Sequence, residues 1–505
     1  MGGYDAPVFE HMRFPRTLQL WALILFGPLA LTWLIMAAIY AVTPTYIDHV
    51  EPSMVVAAQQ WLHGFPLYHP GDSPYLYSFL LGPFDYLWLA WTLTLSPDPV
   101  LASKLSGGFW SLSSLFLLLV IFWRSGGLVI ALASVGLVGG ELMLDLVAPF
   151  WDRPDPILVF SASLGLSTLK LKDQRLGAGI LVLAIAMAIA CKIHGLLYLL
   201  PTLAIWYRRH GWHWCAGILC AALPLAFAPF LLPGVSLENY FFWLRMGAQQ
   251  PRMWDILGEN AETLVQLVFP VIFFVGHPRL KLQWREATEE TILLYAVLVA
   301  GLLVCIPASK AGAGWHHLLP LTVYVGYLFC LLLASSTGPL KFRWVTAAVV
   351  VWAFFTYNRV VHNCSYVIWS LENIPAQLVQ DDLRQILQVY PVAETQMGVG
   401  RGGGYIFTFY SPWLYREGTP CVINVGAFMD MKEAGLTASA LKTSLETEQF
   451  RYWLIPRDGP PFTMNSWYDS LPLFDYSLAQ TFSQHYVRVN STPFFDIYQA
   501  RTVVR

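Results

Sequence analysis

Apolar runs that approach the width of a lipid bilayer recur through the first two thirds of this chain. The first covers residues 17–42. Further runs lie at residues 106–123, 127–147, 157–170, 176–191, 194–207, 214–233, 262–276, 289–307, 316–335 and 343–361. Because a helix needs about 20 apolar residues to cross hydrocarbon, these runs predict about eleven transmembrane helices. The first run is too long for the apolar region of a signal peptide and is expected to remain as a helix.

The composition agrees with a polytopic α-helical membrane protein. Of the 505 residues, 56% are hydrophobic and 12% are charged, whereas soluble domains average about 25% charged residues. The 21 Trp, 24 Tyr and 31 Phe suit a chain that is anchored at two lipid–water interfaces. The net charge of -2 gives no indication of nucleic-acid binding.

Residues 75–95 decide the predicted orientation of the chain. They are apolar enough to span, but Gly82, Pro83 and Asp85 interrupt them, and a helix break and a charge are costly inside a bilayer. If this segment does not span, every basic cluster between the runs falls on the side of the N-terminus. These clusters lie at residues 124, 170–175, 208–209, 279–285 and 341–343. The positive-inside rule therefore favours an interfacial helix at 75–95 and a cytoplasmic N-terminus.

The character of the sequence changes after residue 362. Gly and Pro residues interrupt it at short intervals, and it contains short β-rich runs such as RYWLIP and FFDIYQA. This pattern predicts a soluble α/β or α+β domain at 363–505, after a membrane module at 1–362. With the N-terminus inside, this domain is expected to be periplasmic. Its Cys364 and Cys421 are candidates for a disulfide. Its GRGGG loop, at 400–404, lacks the Lys-Ser/Thr of a phosphate-binding loop and is predicted to be flexible.

Carboxylates collect in the first two external loops of this topology. Asp48 and Glu51 lie one helical turn apart after the first run, and Asp152 and Asp155 lie in the second loop, within FWDRPDP. Transfer of a group from a lipid-linked phosphate to a hydroxyl needs a carboxylate base that takes the hydroxyl proton. Capping of helix N-termini is the simpler role for the same acids. Since Pro52 disfavours helix at Glu51, a helix is predicted to start at Pro52.

Cations collect at the same predicted face of the membrane. Those near predicted helix ends are Lys104, Lys192, Arg245, Lys310 and His316. An unpaired positive charge near the end of a transmembrane helix is costly unless an anion binds to it. Cations also stabilise a departing phosphate. These residues are therefore candidates for binding a lipid-linked phosphate. Arg245, with its neighbour Arg252, is equally suited to anchoring lipid headgroups.

Together, these features resemble the GT-C superfamily of integral-membrane glycosyltransferases, which includes protein O-mannosyltransferases and lipid A aminoarabinose transferases. The resemblance rests on the acids of the first loop, on the spacing from Glu51 to Gly64 and Tyr68, and on the second acidic loop with its RPDP. In the first-loop motif of that family, an Asp-Glu pair precedes the Gly. Here Glu51 takes the Glu place, Val50 takes the Asp place, and Asp48 lies one turn away and can supply the missing carboxylate.

The resemblance implies a function and a set of roles. It implies an inverting transfer of a sugar from a polyprenyl-phosphate carrier to a hydroxyl of a lipid, glycan or protein acceptor at the periplasmic face. Asp48 or Glu51 is then the base, Asp152 or Asp155 takes the place of the second-loop acid of the family, and Lys104 takes the place of an Arg. No cofactor is required on this interpretation, and a divalent cation held by the second-loop acids stays an option.

Three other classes of protein fit part of the pattern. A transporter or flippase of lipid-linked or small solutes would break its helices and place polar residues near the bilayer midplane. An enzyme similar to O-antigen ligases would rely on external Arg and His in place of the acids. A structural or assembly protein would need none of the first-loop acids.

Overall fold

The computed structural model describes residues 16–78, 80–144, 148–275, 287–334 and 339–504. The basic cluster at 279–285 lies outside the described residues. The first fourteen helices are α1 (Arg16–Val42), α2 (Val50–Leu62), α3 (Pro83–Leu93), α4 (Pro99–Gly126), α5 (Leu128–Leu142), α6 (Pro154–Ser167), α7 (Gln174–Cys191), α8 (Leu200–His210), α9 (Trp212–Phe227), α10 (Leu237–Ala248), α11 (Trp254–Val275), α12 (Glu289–Ala308), α13 (Thr322–Ala334) and α14 (Pro339–Asn373). Each apolar run of the sequence overlaps one of them.

The helical part is a polytopic membrane bundle. Within the described ranges, six helical segments are long and apolar enough to cross a membrane: Arg16–Val42, Pro99–Gly126, Gln174–Cys191, Trp212–Leu231, Glu289–Ala308 and Trp315–Ala334. Their starts follow local chemistry. The Asp98 carboxylate accepts from the first amides of α4, which has Pro99 in its first turn, and Asp173 and Thr288 cap α7 and α12 in the same way.

Two short helices occupy the first loop between α1 and α4. Helix α2 begins at Val50, two residues before the predicted start, because the Asp48 carboxylate accepts a 2.9 Å hydrogen bond from the Val50 amide. The prediction of a start at Pro52 was therefore wrong, and Glu51 lies inside the first turn. Helix α3 has 11 residues and is about 16 Å long. It is too short to cross the ~30 Å hydrocarbon core by itself.

A C-terminal domain follows α14, which continues past the expected boundary at 362 and ends at Asn373. The remaining helices are α15 (Ala376–Val389), α16 (Ser411–Tyr415), α17 (Val425–Lys432), α18 (Ser439–Glu446), α19 (Tyr476–His485) and α20 (Arg501–Val504). The strands are β1 (Thr395–Met397), β2 (Tyr452–Pro456), β3 (Tyr486–Ser491) and β4 (Phe495–Ala500). They form one mixed sheet in the order β1-β2-β4-β3, in which only the β1–β2 pair is parallel.

The GRGGG loop is tied down within this domain. The Asp458 carboxylate accepts hydrogen bonds from the amides of Arg401, Gly402 and Gly404 at 2.9, 2.7 and 2.6 Å. The amides that could have bound a phosphate are therefore occupied by a carboxylate of the same chain. All seven cysteines lie within the described residues and are free thiols, so Cys364 and Cys421 are not paired.

The first loop and the C-terminal domain share one hydrophobic core. Eleven of the thirteen residues of α2 are buried. The Gln59 amide donates to the Pro412 carbonyl at 3.1 Å, and Gln60 both donates to the Thr419 carbonyl at 2.9 Å and accepts from the Cys421 amide at 2.9 Å. The C-terminal domain therefore covers the loop that carries the first pair of acids.

Candidate active site

Arg153 joins the first loop to the last one. One guanidinium nitrogen lies 3.2 Å from the Asp48 carboxylate, and another lies 3.2 Å from Nε2 of His316. The guanidinium also stacks 3.9 Å from the Trp151 ring, which holds it in one plane. Because its side chain is only 11% exposed, its contacts with the carboxylate are poorly screened by water.

A second ion pair lies beside the first. Lys192 follows the last residue of α7 and donates to the Asp155 carboxylate at 2.9 Å, while Asp155 lies 3.9 Å from Nε of Arg153. Asp155 and Lys192 are 1% and 4% exposed. Helix α6 begins at Pro154, so the RPDP segment turns into its first helical turn and points both charged side chains towards α7 and the first loop. Five charged or titratable groups therefore form one network.

Asp48 is the most accessible carboxylate of this network. Its side chain is 22% exposed. Burial opposes its ionisation, but the nearby charges of Arg153 and His49 outweigh this effect, so the pKa of Asp48 is lowered. The first loop therefore presents an ionised carboxylate that a ligand can reach.

Glu51 and Asp152 form a separate, closed pair of acids. Glu51 is 0% exposed and accepts a hydrogen bond from the Tyr40 hydroxyl, and Asp152 is 1% exposed. Burial raises the pKa of Glu51 against the opposing effects of Lys104 and Tyr40. Burial and the proximity of Glu51 also raise the pKa of Asp152. These carboxyls hold protons more readily than Asp48 and are shielded from solvent.

The Lys104 ammonium contacts the backbone at the end of α1. Its ammonium donates to the carbonyls of Tyr40, Thr43 and Thr45 at 3.1, 2.8 and 2.5 Å, and the residue is 1% exposed. A Lys has three donor hydrogens, and all three are used on one carbonyl from the last turn of α1 and on two carbonyls from the segment that follows it. In this structure Lys104 fixes the end of α1, and its role in binding phosphate stays a prediction.

Arg245 and Lys310 lie together at the end of α10. Lys310 is half-buried and donates to the Gly247 carbonyl at 2.7 Å, and its backbone pairs with that of Arg252. Arg245 is exposed in the last turn of α10. These cations form a second group of positive charge, distinct from the Arg153 network.

Sequence reasoning missed several polar residues at this end of the bundle. Arg153 was visible between two acids but was not selected. His194 and His317 stack with ring centroids 5.6 Å apart, and His317 is as buried as His316. Asp430, from the C-terminal domain, lies 3.7 Å from His49. Nothing in the local sequence around residue 430 indicates this contact.

The described residues contain no group of three or more His, Cys, Asp or Glu side chains arranged to hold a metal ion. Of the two acids of the second loop, Asp155 is paired with the cations Arg153 and Lys192. The arrangement is suited to binding an anion next to an ionised carboxylate.

The fold is a membrane helix bundle with a C-terminal domain at one end. Two crystal structures of ArnT from Cupriavidus metallidurans share it with this chain. For the apo state the TM-score is 0.59 at 14% identity, and the match covers 95% of this chain and 98% of that one. For the state bound to undecaprenyl phosphate the TM-score is 0.58 at 13% identity, with 95% and 97% covered. The chain therefore has the GT-C fold.

Another solved structure is less similar. The arabinosyltransferase EmbB from Mycobacterium smegmatis matches at a TM-score of 0.41 and 13% identity, over 74% of this chain and 43% of that one. No protein-family model matches the sequence. No curated protein matches it either.

Proposed function

We propose that this protein is a glycosyltransferase of the bacterial inner membrane. It takes a sugar from a polyprenyl-phosphate carrier and transfers it, with inversion, to an acceptor hydroxyl at the periplasmic face. The observation that carries the proposal is the contact of Asp48, an accessible and ionised carboxylate, with the Arg153 guanidinium. The GT-C fold supports it, since the ArnT structure with the same fold is bound to undecaprenyl phosphate.

Asp48 is the better candidate for the base. A base has to reach the acceptor hydroxyl, and Asp48 is 22% exposed, whereas Glu51 is 0% exposed and closed off by Tyr40. In the transfer, the acceptor oxygen bonds to the anomeric carbon from the face opposite the phosphate. The bond from that carbon to the phosphate oxygen breaks, and its electron pair leaves with the phosphate. The hydroxyl proton passes to Asp48.

Arg153 links the two halves of this reaction. In the free protein it pairs with Asp48 at 3.2 Å. As negative charge develops on the departing phosphate, that phosphate competes for the guanidinium. Weakening of the Arg153–Asp48 pair raises the proton affinity of Asp48 when a base is required. Lys192, which Asp155 holds in place, extends the positive wall beside Arg153, and the His316 imidazole contacts the guanidinium.

The second cationic group takes a different part in the proposal. Lys310 and Arg245 lie at the end of α10, next to exposed Phe241 and Phe242. This combination of cations and aromatic rings is typical of a membrane interface. We assign it to the lipid side of the carrier. Asp152 and Glu51 support the first loop as buried carboxyls.

The experiment is transfer by the purified protein from a panel of polyprenyl-phosphate sugars, run with Asp48→Asn and Glu51→Gln. Asp72→Asn is the matched control, because Asp72 is an exposed acid of the same loop. We expect Asp48→Asn to lower kcat by about 10²- to 10⁴-fold, Glu51→Gln to cost less, and the control to retain activity. The anomeric configuration of the product tests inversion. An Asp48→Asn variant that folds and keeps wild-type kcat would rule out this mechanism.

A cysteine placed near residue 98 tests the orientation. With residues 75–95 outside the far leaflet, an impermeant thiol reagent labels this cysteine from the periplasmic side. Labelling from the cytoplasmic side alone contradicts the proposed topology and the periplasmic position of the C-terminal domain.

A further inference from the structure

The C-terminal domain reaches the first loop at His49. Asp430, in α17, has a carboxylate oxygen 3.7 Å from Nε2 of His49, and the Asp48 carboxylate lies 3.8 Å from Nδ1 on the other side of the ring. The imidazole is 13% exposed and thus lies between two carboxylates in a mostly buried position. At these distances the contacts are ion pairs of the protonated imidazole with two carboxylates. His49 therefore bridges Asp48 to the C-terminal domain.

Asp430 is itself held in place. The Tyr468 hydroxyl donates to its carboxylate at 2.5 Å, and the Gln250 amide donates to its backbone carbonyl. A methyl group at Gly312, in the loop before His316, would lie 2.7 Å from the Tyr468 oxygen and 3.2 Å from the Asp430 carboxylate. Two loops of the membrane bundle and the first loop thus converge on Asp430.

The contact between α17 and the first loop is close as well as polar. A methyl group at Gly426 would lie 2.6 Å from the Ser53 hydroxyl and 3.1 Å from the His49 carbonyl. The Asn424 amide oxygen accepts from the Ser53 hydroxyl at 2.6 Å. On the other side of the imidazole, the Trp467 ring meets it edge to face at 4.9 Å. The C-terminal domain therefore encloses His49 from two directions.

We propose that Asp430 and Tyr468, two residues of the C-terminal domain, are positioning residues for the reaction. They act on the site through the His49 imidazolium. This inference rests on the proposed glycosyl transfer. The positively charged imidazolium lies between the carboxylates of Asp430 and Asp48. Asp48 is therefore oriented from one side by His49 and from the other by Arg153. The C-terminal domain then takes part in the chemistry and does more than cover the site.

The electrostatics of His49 agree with this role. Burial disfavours the imidazolium, but the carboxylates of Asp48 and Asp430 outweigh burial, and the pKa of His49 is raised. The charged groups that act on His49 from the surrounding elements are Asp48, Arg153 and Asp430. The titratable side chains of Tyr405 and Tyr468 lie near the two carboxylates. Loss of the Asp430 charge removes one of the two favourable partners and lets His49 deprotonate at a lower pH.

The first test is the pH profile of kcat for the wild type, Asp430→Asn and Tyr468→Phe, with Asp469→Asn as the control. Asp469 lies next to Tyr468 but is exposed. Asp430→Asn keeps the shape of the side chain and an acceptor for Tyr468. We expect it to lower kcat roughly tenfold to a hundredfold, to leave the KM for the donor nearly unchanged and to shift the alkaline limb to lower pH. Tyr468→Phe leaves the Asp430 charge in place and removes only the hydrogen bond that orients it, so we expect it to lower kcat by less and to leave the alkaline limb nearly unchanged.

A double-mutant cycle separates positioning from a structural role. If Asp430 acts through His49, then Asp430→Asn costs little additional activity in a His49→Gln background. Equal and additive losses in both backgrounds, or an Asp430→Asn profile that matches that of Asp469→Asn, would refute the proposal while leaving the proposed function intact.

A second readout does not depend on transfer. Diethyl pyrocarbonate modifies neutral imidazole, so the pH dependence of His49 modification, followed by mass spectrometry of the intact folded protein, reports its protonation. Asp430→Asn is expected to move this dependence to lower pH, and an unchanged dependence contradicts the His49–Asp430 link. If the wild type transfers no sugar, the proposed function fails and the positioning role falls with it, even where the modification data still show the link.

Discussion

Replacement of Lys104 by Met is expected to destabilise the end of α1 rather than to weaken the binding of a phosphate. The Lys104 ammonium is 1% exposed and satisfies three carbonyls, those of Tyr40, Thr43 and Thr45. Each buried acceptor left without a donor costs about 1–3 kcal/mol. Three such acceptors together cost about 3–9 kcal/mol. Since Met restores apolar packing and carries no ammonium to desolvate, we expect a net loss in the lower part of this range, about 3–5 kcal/mol.

Thermal unfolding of the purified protein in detergent measures this loss. At ~2 °C per kcal/mol, the value for large domains, the midpoint falls by about 6–10 °C. Lys172→Met is the matched control, because Lys172 is an exposed residue of a loop at a different end of the helices. It removes the same charge and is expected to leave the midpoint unchanged.

The opposite outcome would refute the reasoning. If Lys104→Met keeps the wild-type midpoint but raises the KM for a polyprenyl-phosphate donor, then the ammonium binds the donor and its three carbonyl contacts are incidental. The role that the sequence predicted for Lys104 would then be confirmed.

Three more results are expected. A methyl group at Gly107 would overlap the Trp151 carbonyl, whereas one at Gly108 meets nothing within 4 Å. Gly107→Ala should therefore displace the second loop and abolish transfer, and Gly108→Ala should stay active. Asp458→Ala should lower the free energy of unfolding by more than about 1.5 kcal/mol, because hydrogen bonds to a charged acceptor are lost, and limited proteolysis should then cut the GRGGG loop. Because the folded pKa of Asp48 is lowered, its stabilising effect is present above the unfolded pKa of ~3.9 and is lost as the pH falls through the folded value. The thermal midpoint of the wild type should therefore fall more steeply in acid than that of Asp48→Asn, and parallel curves would contradict this assignment.

The transmembrane helices could be predicted from the sequence because each one leaves a continuous apolar run. The helix caps at Asp98 and Asp173 are also predictable, because an Asp directly before a helix is enough to indicate an N-cap. The predicted start of α2 was wrong because Pro is tolerated throughout the first turn of a helix, so Pro52 fits both a start at Pro52 and a start at Val50. The hydrogen bond from the Val50 amide to Asp48 decided between the two.

The site was predicted only in part, for two physical reasons. The partners of Lys104 are backbone carbonyls, which every residue type provides, so no sequence pattern reveals them. The partner of His49 is Asp430, which is distant in the chain and is brought close only by the packing of α17 on α2. The role of Arg153 could have been predicted, because a cation flanked in sequence by two acids is expected to form ion pairs when all three are buried.

The burial of α2 beneath the C-terminal domain has a consequence for the order in which the protein matures. Gln59 is synthesised early, but the Pro412 carbonyl that it contacts lies 353 residues later in the chain. At about 5–20 residues per second, this interval takes roughly 20–70 s. Until then the first loop lacks its cover, and Asp48 lacks the support that His49 receives from Asp430. A nascent chain that has already inserted its first helices is therefore expected to remain inactive towards the lipid carriers around it until its last third has folded.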